Sequence, residues 1–424
     1  MTAIVGTLNR QGIAFAADSA ATYTTTETRK ITNKTNKIFE LSKKHPVGIA
    51  IYNNLDFYGI PWEVIIKTYR DSYLKGKAFP KLLDYVNDFW QYIQEFILPQ
   101  IPTAEQKGLL AYFIQRLKDE SISTAKERLK QRGIEANPKN IYAEILPFLS
   151  KLSKDYTKHN RTSAFKKYKR NQMLEYSGDV IDGMLSDMLQ TQACPTNFKK
   201  KFIDALFKII TADTLVYLTQ TGLVFWGYGE TELFPSYYQY EVTLAMDGLV
   251  KYVKINDYEV SNIKKACVAP FAQTDVANTV VRGIDQKLRD TINLNIEKAF
   301  SNFRDSVVNA LNSAGAPTEL ISALNNLNIN EQADLFIRDT NEFISTNYTN
   351  KLLDTVAFLS KEDLADMAES LVRMTCLKRH ITTDEESVGG PVDVAVITKG
   401  DGFVWIKRKN YFPAELNHHY FERQ

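Results

Sequence analysis

The sequence predicts an α+β fold in which blocks of strands and blocks of helices follow one another along the chain. Three observations indicate it: β-branched and apolar runs dominate residues 2–52, apolar residues recur at helical spacing across 62–210, and strand patterns return after 215. This block order favours two antiparallel sheets stacked face to face with helices outside, and it does not suit a regularly alternating βαβ fold.

The N-terminal block reads as four strands joined by polar turns. Its predicted strands are Thr2–Leu8, Ile13–Ser19, Thr35–Leu41 and Val47–Tyr52. A Thr-rich polar segment, Tyr23–Thr28, is typical of a hairpin excursion between the second and third strands.

The middle of the chain, residues 62–210, reads as several helices separated by prolines. Some of its apolar residues cover more of a helix surface than one buried stripe needs. We therefore expect some of them to lie at a subunit interface or against the core of the fold; they are Phe89, Trp90, Tyr92 and Phe96.

The second half of the chain returns to strands, then to helices, and ends in a strand pair. The predicted strands are Leu215–Thr219, Leu223–Tyr228, Tyr240–Ala245, Leu249–Ile255, Ile263–Val268, Val392–Thr398 and Gly402–Lys407. Helices are predicted over Val276–Phe303 and most of Asp334–Met374, with a less regular stretch at Asn312–Ile329.

Composition narrows the class of protein. The 424 residues carry 52 Lys+Arg against 50 Asp+Glu, and this balance argues against a dedicated nucleic-acid-binding protein. The three cysteines lie far apart and the five histidines lack metal-ligand spacing, so neither a disulfide framework nor a metal site nor a cofactor is expected. No signal-peptide core or membrane-spanning apolar run is evident, which predicts a cytoplasmic protein without membrane partners.

Three segments carry a more specific pattern. They are TAIVGTLNRQGIAFAADSAAT at residues 2–22, NKIFEL at residues 36–41, and DEESVGGPVDVAVITKGDGFVWI at residues 384–406. Together, in this order, they resemble the Thr-start strand, the Lys-hydrophobic-Phe strand and the Asp-x-x-Ser-Gly-Gly segment of the proteasome β-subunit family. The resemblance covers only about fifty residues at the two ends of the chain.

The resemblance implies a four-layer αββα sandwich of the N-terminal-nucleophile (Ntn) hydrolase type with large helical insertions. The core would comprise residues 2–60, 211–310 and 376–410. A helical insertion at 61–210 and a helical extension at 311–375 would decorate it, and residues 411–424 would form a tail. Because members of the family assemble into rings or stacks, a homo-oligomer is also expected, with its symmetry left open.

Thr2 is the candidate nucleophile once Met1 has been removed. A threonine hydroxyl needs a nearby base, and a free α-amine, with a pKa of roughly 7.7–8.0, is partly neutral near pH 7. An N-terminal threonine therefore carries its own candidate base. The alternative is that Thr2 is simply a common second residue.

The resemblance implies that Lys37 supplies a positive charge beside the nucleophile and that Asp18 holds this lysine in place. The linear distance from Thr2 favours Lys34 instead, but strand alternation groups Lys37 with Phe39 on one face. We therefore predict Lys37 as the catalytic lysine. A turn-facing aspartate and a surface lysine are the alternatives.

Further roles follow from the resemblance alone. Asp384 and Ser387 match the acid and hydroxyl that orient the free amine, although the extra Val388 departs from the family pattern and a gapless alignment would select Glu385 and Val388. Thr22 matches a position whose backbone pairs with a bound peptide, with an ordinary hairpin threonine as the alternative.

Two departures from the family pattern affect the substrate path. Tyr52 and the following asparagines replace a small loop whose backbone N–H forms the oxyanion hole, and Gln273 lies where the family has a supporting serine. Both are predicted to contact substrate. A helix cap is the alternative for Gln273.

The expected function is hydrolysis of peptide amide bonds by an N-terminal threonine, with a peptide or protein substrate. The alternatives are a catalytically silent scaffold or assembly protein, and an Ntn amidohydrolase acting on small amides or acyl groups. Whether an activating partner exists stays open. The basic segment 151–170 is interpreted as a solvated helix face, with docking to an acidic partner or nucleic acid as the alternative.

Overall fold

The computed structural model describes residues 2–24, 29–215, 220–382, 388–410, 412–413 and 417. Within these residues the strands are β1 (Ala3–Asn9), β2 (Ile13–Ala17), β3 (Ala21–Thr24), β4 (Arg29–Thr32), β5 (Ile38–Glu40), β6 (Val47–Asn53), β7 (Asp56–Phe57), β8 (Ile60–Pro61), β9 (Thr221–Gly227), β10 (Ser236–Met246), β11 (Leu249–Glu259), β12 (Ala266–Ala272), β13 (Asp393–Thr398) and β14 (Gly402–Lys407).

The helices alternate with these strands in blocks. They are α1 (Trp62–Thr68), α2 (Leu82–Tyr92), α3 (Thr103–Gln131), α4 (Pro138–Thr157), α5 (Arg170–Leu189), α6 (Phe198–Thr211), α7 (Asp275–Arg282), α8 (Gln286–Ser313), α9 (Thr318–Asn325), α10 (Ile329–Ile344), α11 (Asn350–Val356) and α12 (Lys361–Ile381). Short π-helical turns extend α1, α2 and α10. The predicted α+β class is confirmed.

The chain divides into two compact units. The first comprises Met1–Ile38, Leu233–Pro235 and Glu259–Gln424, and the second comprises Phe39–Glu232 and Ser236–Tyr258. Each unit contributes a five-stranded sheet, in the orders β12-β1-β2-β13-β14 and β11-β10-β9-β6-β5.

The first unit is built on an antiparallel sheet whose central strands are buried along their whole length. Helix α12 lies on this sheet, and the Thr7 hydroxyl on β1 donates a hydrogen bond to the Leu364 carbonyl of α12 at 2.8 Å. Small residues such as Ala14 and Ala16 on β2 and Ala368 on α12 let the helix approach closely. This packing fixes the end of β2, where Asp18 follows.

The second unit packs its helices in two apolar clusters. Phe89 of α2 meets Phe225 of β9 edge to face at 5.3 Å, and Trp90 and Tyr92 are buried in the same cluster. Of the four apolar residues predicted to lie at an interface or against the core, Phe89, Trp90 and Tyr92 therefore pack inside the unit. Phe96 is exposed. The second cluster joins α3, α4, α5 and α6 to the ends of β10 and β11.

Several predicted element boundaries differ from those in the structure. The helix predicted over Val276–Phe303 is broken at Gly283, whose φ of +70° ends α7 in a left-handed turn. The irregular stretch at Asn312–Ile329 contains α9. The strand predicted over Leu215–Thr219 lies mostly outside the described residues.

None of the helices in the described part of the chain has an apolar stretch long enough to cross a bilayer. The described residues also contain no group of three or more His, Cys, Asp or Glu side chains arranged to hold a metal ion.

Candidate active site

Asp18 is the centre of a hydrogen-bonded cluster in the first unit. It follows β2 directly, and its carboxylate is buried. Oδ1 accepts hydrogen bonds from the Ala3 N–H at 2.8 Å and the Lys37 ammonium at 2.7 Å. Oδ2 accepts from the Ala20 and Gly389 N–H groups, both at 3.1 Å. Four donors from four parts of the sequence therefore converge on one carboxylate, which fixes its orientation.

Lys37 is enclosed with Asp18. Its side chain is 1% exposed, whereas Lys34, the other candidate lysine, is exposed. Burial lowers the pKa of Lys37 from its ordinary value; the Asp18 carboxylate opposes this effect, and the charge of Lys409 adds to it. Lys37 is therefore a stronger acid than a lysine in water.

Thr2 is buried, and the peptide group that joins it to Ala3 is hydrogen-bonded through both its carbonyl and its N–H. The Thr2 carbonyl accepts a hydrogen bond from the Gln273 N–H at 3.1 Å, and the Ala3 N–H that follows it donates to Asp18. The Asp18 N–H in turn donates to the Ala3 carbonyl at 3.1 Å. Asp18 Oδ1 thus accepts hydrogen bonds from both the Lys37 ammonium and the amide that follows Thr2, and so connects the two.

Gln273 is placed beside Thr2 by its backbone, and its side chain is held by α12. Its Oε1 accepts a hydrogen bond from the Arg379 guanidinium at 2.6 Å, and this guanidinium also lies 3.1 Å from Asp275. The preceding residue, Ala272, has a φ of +64°, a left-handed conformation that costs a non-glycine residue about 1–2 kcal/mol. The neighbouring contacts with Thr2 and Arg379 hold the chain in this strained turn.

Two other residues predicted to contact the substrate lie on β3 and β6. Thr22 is half-buried on β3, where it pairs with Ile31 of β4. Tyr52 belongs to the second unit, on β6, where its hydroxyl donates to Glu241 at 2.9 Å and accepts from Gln239 at 2.7 Å. Burial, reinforced by the Glu241 charge, raises the pKa of Tyr52.

Asp384 and Ser387 lie outside the described residues. The segment that follows them is fixed against the residues after β2: the Ser19 N–H donates to the Gly389 carbonyl at 3.1 Å, and the Ser19 hydroxyl donates to the Pro391 carbonyl at 2.5 Å. Gly390 adopts a φ of +78° in this segment.

Three side chains near the cluster were not predicted from the sequence. Asp393 is buried on β13, opposite the residue before Asp18, and it forms an ion pair with Lys409. Cys376 on α12 lies close enough for its pKa to respond to the Asp18 and Lys37 charges, and burial chiefly raises that pKa to about 11. Its thiol is protonated near neutral pH, so it is a poor competing nucleophile. Asp393 could have been found from the sequence, because it is an acidic residue at the start of an apolar strand.

The cluster combines a buried cation with a carboxylate whose two oxygens accept four hydrogen bonds, and Thr2 directly precedes the β1 residue that donates one of them. In such a low-dielectric setting a fixed positive charge stabilises negative charge that develops on a nearby oxygen.

No family model matches the sequence, and no curated protein matches it. Among solved structures, the chain is similar to the Anbu (Gly-1) mutant from Hyphomicrobium sp. strain MC1, with 9% identity, 100% of this chain and 94% of that chain covered, and a TM-score of 0.29. It is also similar to Anbu (ancestral beta-subunit) from Yersinia bercovieri, with 8% identity, 99% and 93% coverage, and a TM-score of 0.26.

The assignment to the proteasome β-subunit family, made from the three motifs, is wrong on these comparisons. No family model supports it, and TM-scores near 0.3 at 8–9% identity establish neither a shared fold nor a shared activity. The physical reason is that the motifs are short and consist of small apolar strand residues, turn glycines and single polar residues, which unrelated buried hairpins also use.

Proposed function

We propose that this protein hydrolyses amide bonds, with peptides as substrates and Thr2 as the nucleophile after removal of Met1. One observation carries the proposal: a single oxygen of Asp18 accepts hydrogen bonds from both the Lys37 ammonium and the amide that follows Thr2. A buried lysine is thereby tied to the residue that would become the N-terminus.

The first step is acyl transfer to Thr2. The Thr2 oxygen attacks the carbonyl carbon of the amide, and its proton passes, through a water molecule, to the free α-amine of Thr2. The carbon–nitrogen bond then breaks, and the departing amine takes up the proton. The Lys37 ammonium, held by Asp18, stabilises the negative charge that develops on oxygen.

The second step releases the product. Water attacks the Thr2 ester, and the α-amine accepts a proton of this water. The ester carbon–oxygen bond then breaks, and the α-ammonium returns the proton to the Thr2 oxygen, which gives a carboxylic acid and the regenerated hydroxyl. Asp384 and Ser387 are proposed to orient the α-amine, and Thr22, Tyr52 and Gln273 to contact the substrate, as the sequence predicts. No cofactor enters either step.

We infer a four-layer αββα sandwich over residues 2–60, 211–310 and 376–410, with helical parts at 61–210 and 311–375 and a tail at 411–424. Its support is that each unit contains a five-stranded sheet with helices packed on it. The three cysteines are free, which suits the cytoplasm that we propose as its location.

Self-association is inferred from the surface of α8. This helix runs for 28 residues without one buried residue, and Leu288 and Phe303 are exposed on it. Apolar side chains left in water over such a length are typical of a surface that another subunit covers. Analytical ultracentrifugation tests this: a monomer at every concentration would contradict it.

The proposed activity is tested with the full chain and a fluorogenic peptide library. Thr2→Ala should abolish cleavage, and Thr2→Ser should retain it because serine supplies the same kind of nucleophile. Cleavage of small amides but not of peptides would favour a small-amide hydrolase. No cleavage of either class, with Met1 retained in the intact mass, would favour a silent scaffold.

A further inference from the structure

The second unit contains a large cavity that the proposed hydrolysis does not use. Its volume is about 1170 Å³, and its walls come from α2, β10, β11, the segment 160–166 and Asp213. Pockets for small organic ligands in proteins span roughly 300–1000 Å³. The cavity is therefore large enough for an extended ligand and far larger than a single inorganic ion requires.

Positive charge predominates among the ionisable groups of the wall. Arg161, Lys166 and Lys254 line it, against the single carboxylate of Asp213. Lys254 is paired with Asp257 at 2.9 Å, an exposed pair that water screens. Arg161 and Lys166 therefore dominate the charge of the cavity, which favours an anionic ligand.

Arg161 is held in place by the surrounding backbone. The Thr162 N–H donates to the Thr211 carbonyl at 3.1 Å, and the Asp213 N–H donates to the Asn160 carbonyl at 2.9 Å, so the segment around Arg161 is clamped to the end of α6. The guanidinium donates to the Tyr168 carbonyl at 3.0 Å and lies 5.0 Å from the centre of the Phe207 ring.

Those contacts position the guanidinium without neutralising it. The hydrogen bond to Tyr168 occupies one of five N–H donors, and its acceptor is an uncharged carbonyl. A planar guanidinium fixed in this way matches the oxygens of a phosphate or carboxylate better than a flexible ammonium does. Arg161 is thus suited to bind an anionic group, with Lys166 as a second, mobile cation.

An aromatic wall faces the same space. Tyr252 lines the cavity and stacks on Trp90 with parallel rings 4.0 Å apart, so one face of Tyr252 is covered. Tyr240 also lines the cavity, and its ring centre lies 6.0 Å from that of Tyr252. A flat ring of a ligand can pack against such a rigid aromatic pair. The side chains of Asn87 and Asn160 supply neutral hydrogen-bonding groups to the same wall.

From this combination we infer that the cavity binds a nucleoside phosphate with at least two phosphate groups. Arg161 and Lys166 hold the phosphates, and the Tyr252–Trp90 stack packs against the base. A simple phosphate would leave most of the volume empty, and an apolar ligand would supply no negative charge opposite Arg161 and Lys166. This site is independent of Thr2, so its loss leaves the proposed hydrolysis testable.

The test is isothermal titration calorimetry on the full chain with ADP, GDP and inorganic pyrophosphate as probes. We expect saturable binding of at least one nucleotide. Lys166→Ala and Arg161→Gln should each weaken it by about tenfold or more, because a hydrogen bond to a charged group is lost. Lys126→Ala, which removes an exposed lysine of α3 outside the cavity, should leave the affinity unchanged. Tyr252→Leu should weaken nucleotide binding but not pyrophosphate binding.

Two further outcomes decide the proposal. Failure of both nucleotides to bind at millimolar concentration would overturn it, and so would equal affinities for pyrophosphate and the nucleotides. Because Lys166 is exposed, Lys166→Ala should fold even if Arg161→Gln does not. Unchanged nucleotide affinity in Lys166→Ala would contradict its role as a phosphate ligand.

Discussion

The Lys37 ammonium and the Asp18 carboxylate form an ion pair 2.7 Å apart, and neither side chain is more than 1% exposed. Both charges are withdrawn from water, so each depends on the other and on the backbone N–H groups of Ala3, Ala20 and Gly389. Removing one partner of such a pair leaves an uncompensated buried charge.

Asp18→Asn should therefore destabilise the protein by ~3–5 kcal/mol, because Lys37 stays buried without its counter-ion. A lower midpoint of thermal unfolding measures this loss. Asp18→Asn combined with Lys37→Met should recover part of the lost stability, because no unpaired lysine charge then stays buried. Asp179→Asn, which breaks the exposed pair with Lys107, is the matched control and should barely change the midpoint. A double variant no more stable than Asp18→Asn would show that burial of this charge is not the cause.

Substitutions at the adjacent Gly389 and Gly390 test whether the conformation of this segment holds the Gly389 N–H against Asp18. Gly390 has a φ of +78°, and a Cβ there would lie 2.8 Å from the Asn33 Cβ, whereas a Cβ on Gly389 would meet nothing within 4 Å. Gly390→Ala should therefore lower the thermal midpoint and the reactivity of Thr2, because the segment must shift away from Asp18. Gly389→Ala should leave both nearly unchanged. Equal effects of the two substitutions would contradict the strain explanation.

The local parts of the candidate site could be predicted from the sequence. Alternation along NKIFEL groups Lys37 with Phe39; both are buried, but so is Ile38 between them, whereas Lys34 is exposed. Asp18 ends an apolar run, where an unpaired carboxylate would be costly, and it is paired with Lys37.

Contacts set by long-range register could not be predicted. Asp393 reaches the neighbourhood of Asp18 because β13 pairs with β2, and Lys409 joins it from beyond β14. Nothing in the local sequence fixes which residues of two distant strands face each other. The left-handed turn at Gly283, in contrast, could have been predicted, because a glycine often ends a helix. The apolar periodicity of the region favoured a continuous helix instead.

Lys251, a second buried lysine, gives the protein a predictable pH dependence. Burial lowers its pKa to about 7, while the Asp213 charge acts in the opposite direction, and its ammonium donates to the Ile209 carbonyl at 3.0 Å. Between pH 7 and its ordinary pKa, the unfolded chain binds a proton that the folded chain does not. The free energy of unfolding therefore rises with pH through this range, by ~4 kcal/mol from this group.

Lys251→Met should remove that rise. Relative to the wild type, its thermal midpoint should therefore be more favourable at pH 7 than at pH 9.5. Differential scanning calorimetry at several pH values measures the effect. Lys126→Met, at an exposed site of α3, should follow the wild-type slope. Parallel slopes for the wild type and Lys251→Met would rule out the lowered pKa of Lys251 as their source.

We propose that Lys37, held by Asp18, activates Thr2. The most direct measurement is the intact mass of the full chain, followed by peptide mapping, after treatment with a threonine-directed electrophile such as a β-lactone. We expect loss of Met1, a covalent adduct at Thr2 in the wild type and in Lys34→Ala, and no adduct in Lys37→Ala. A Thr2 adduct that persists in Lys37→Ala, or one that disappears in Lys34→Ala instead, would overturn this role of Lys37.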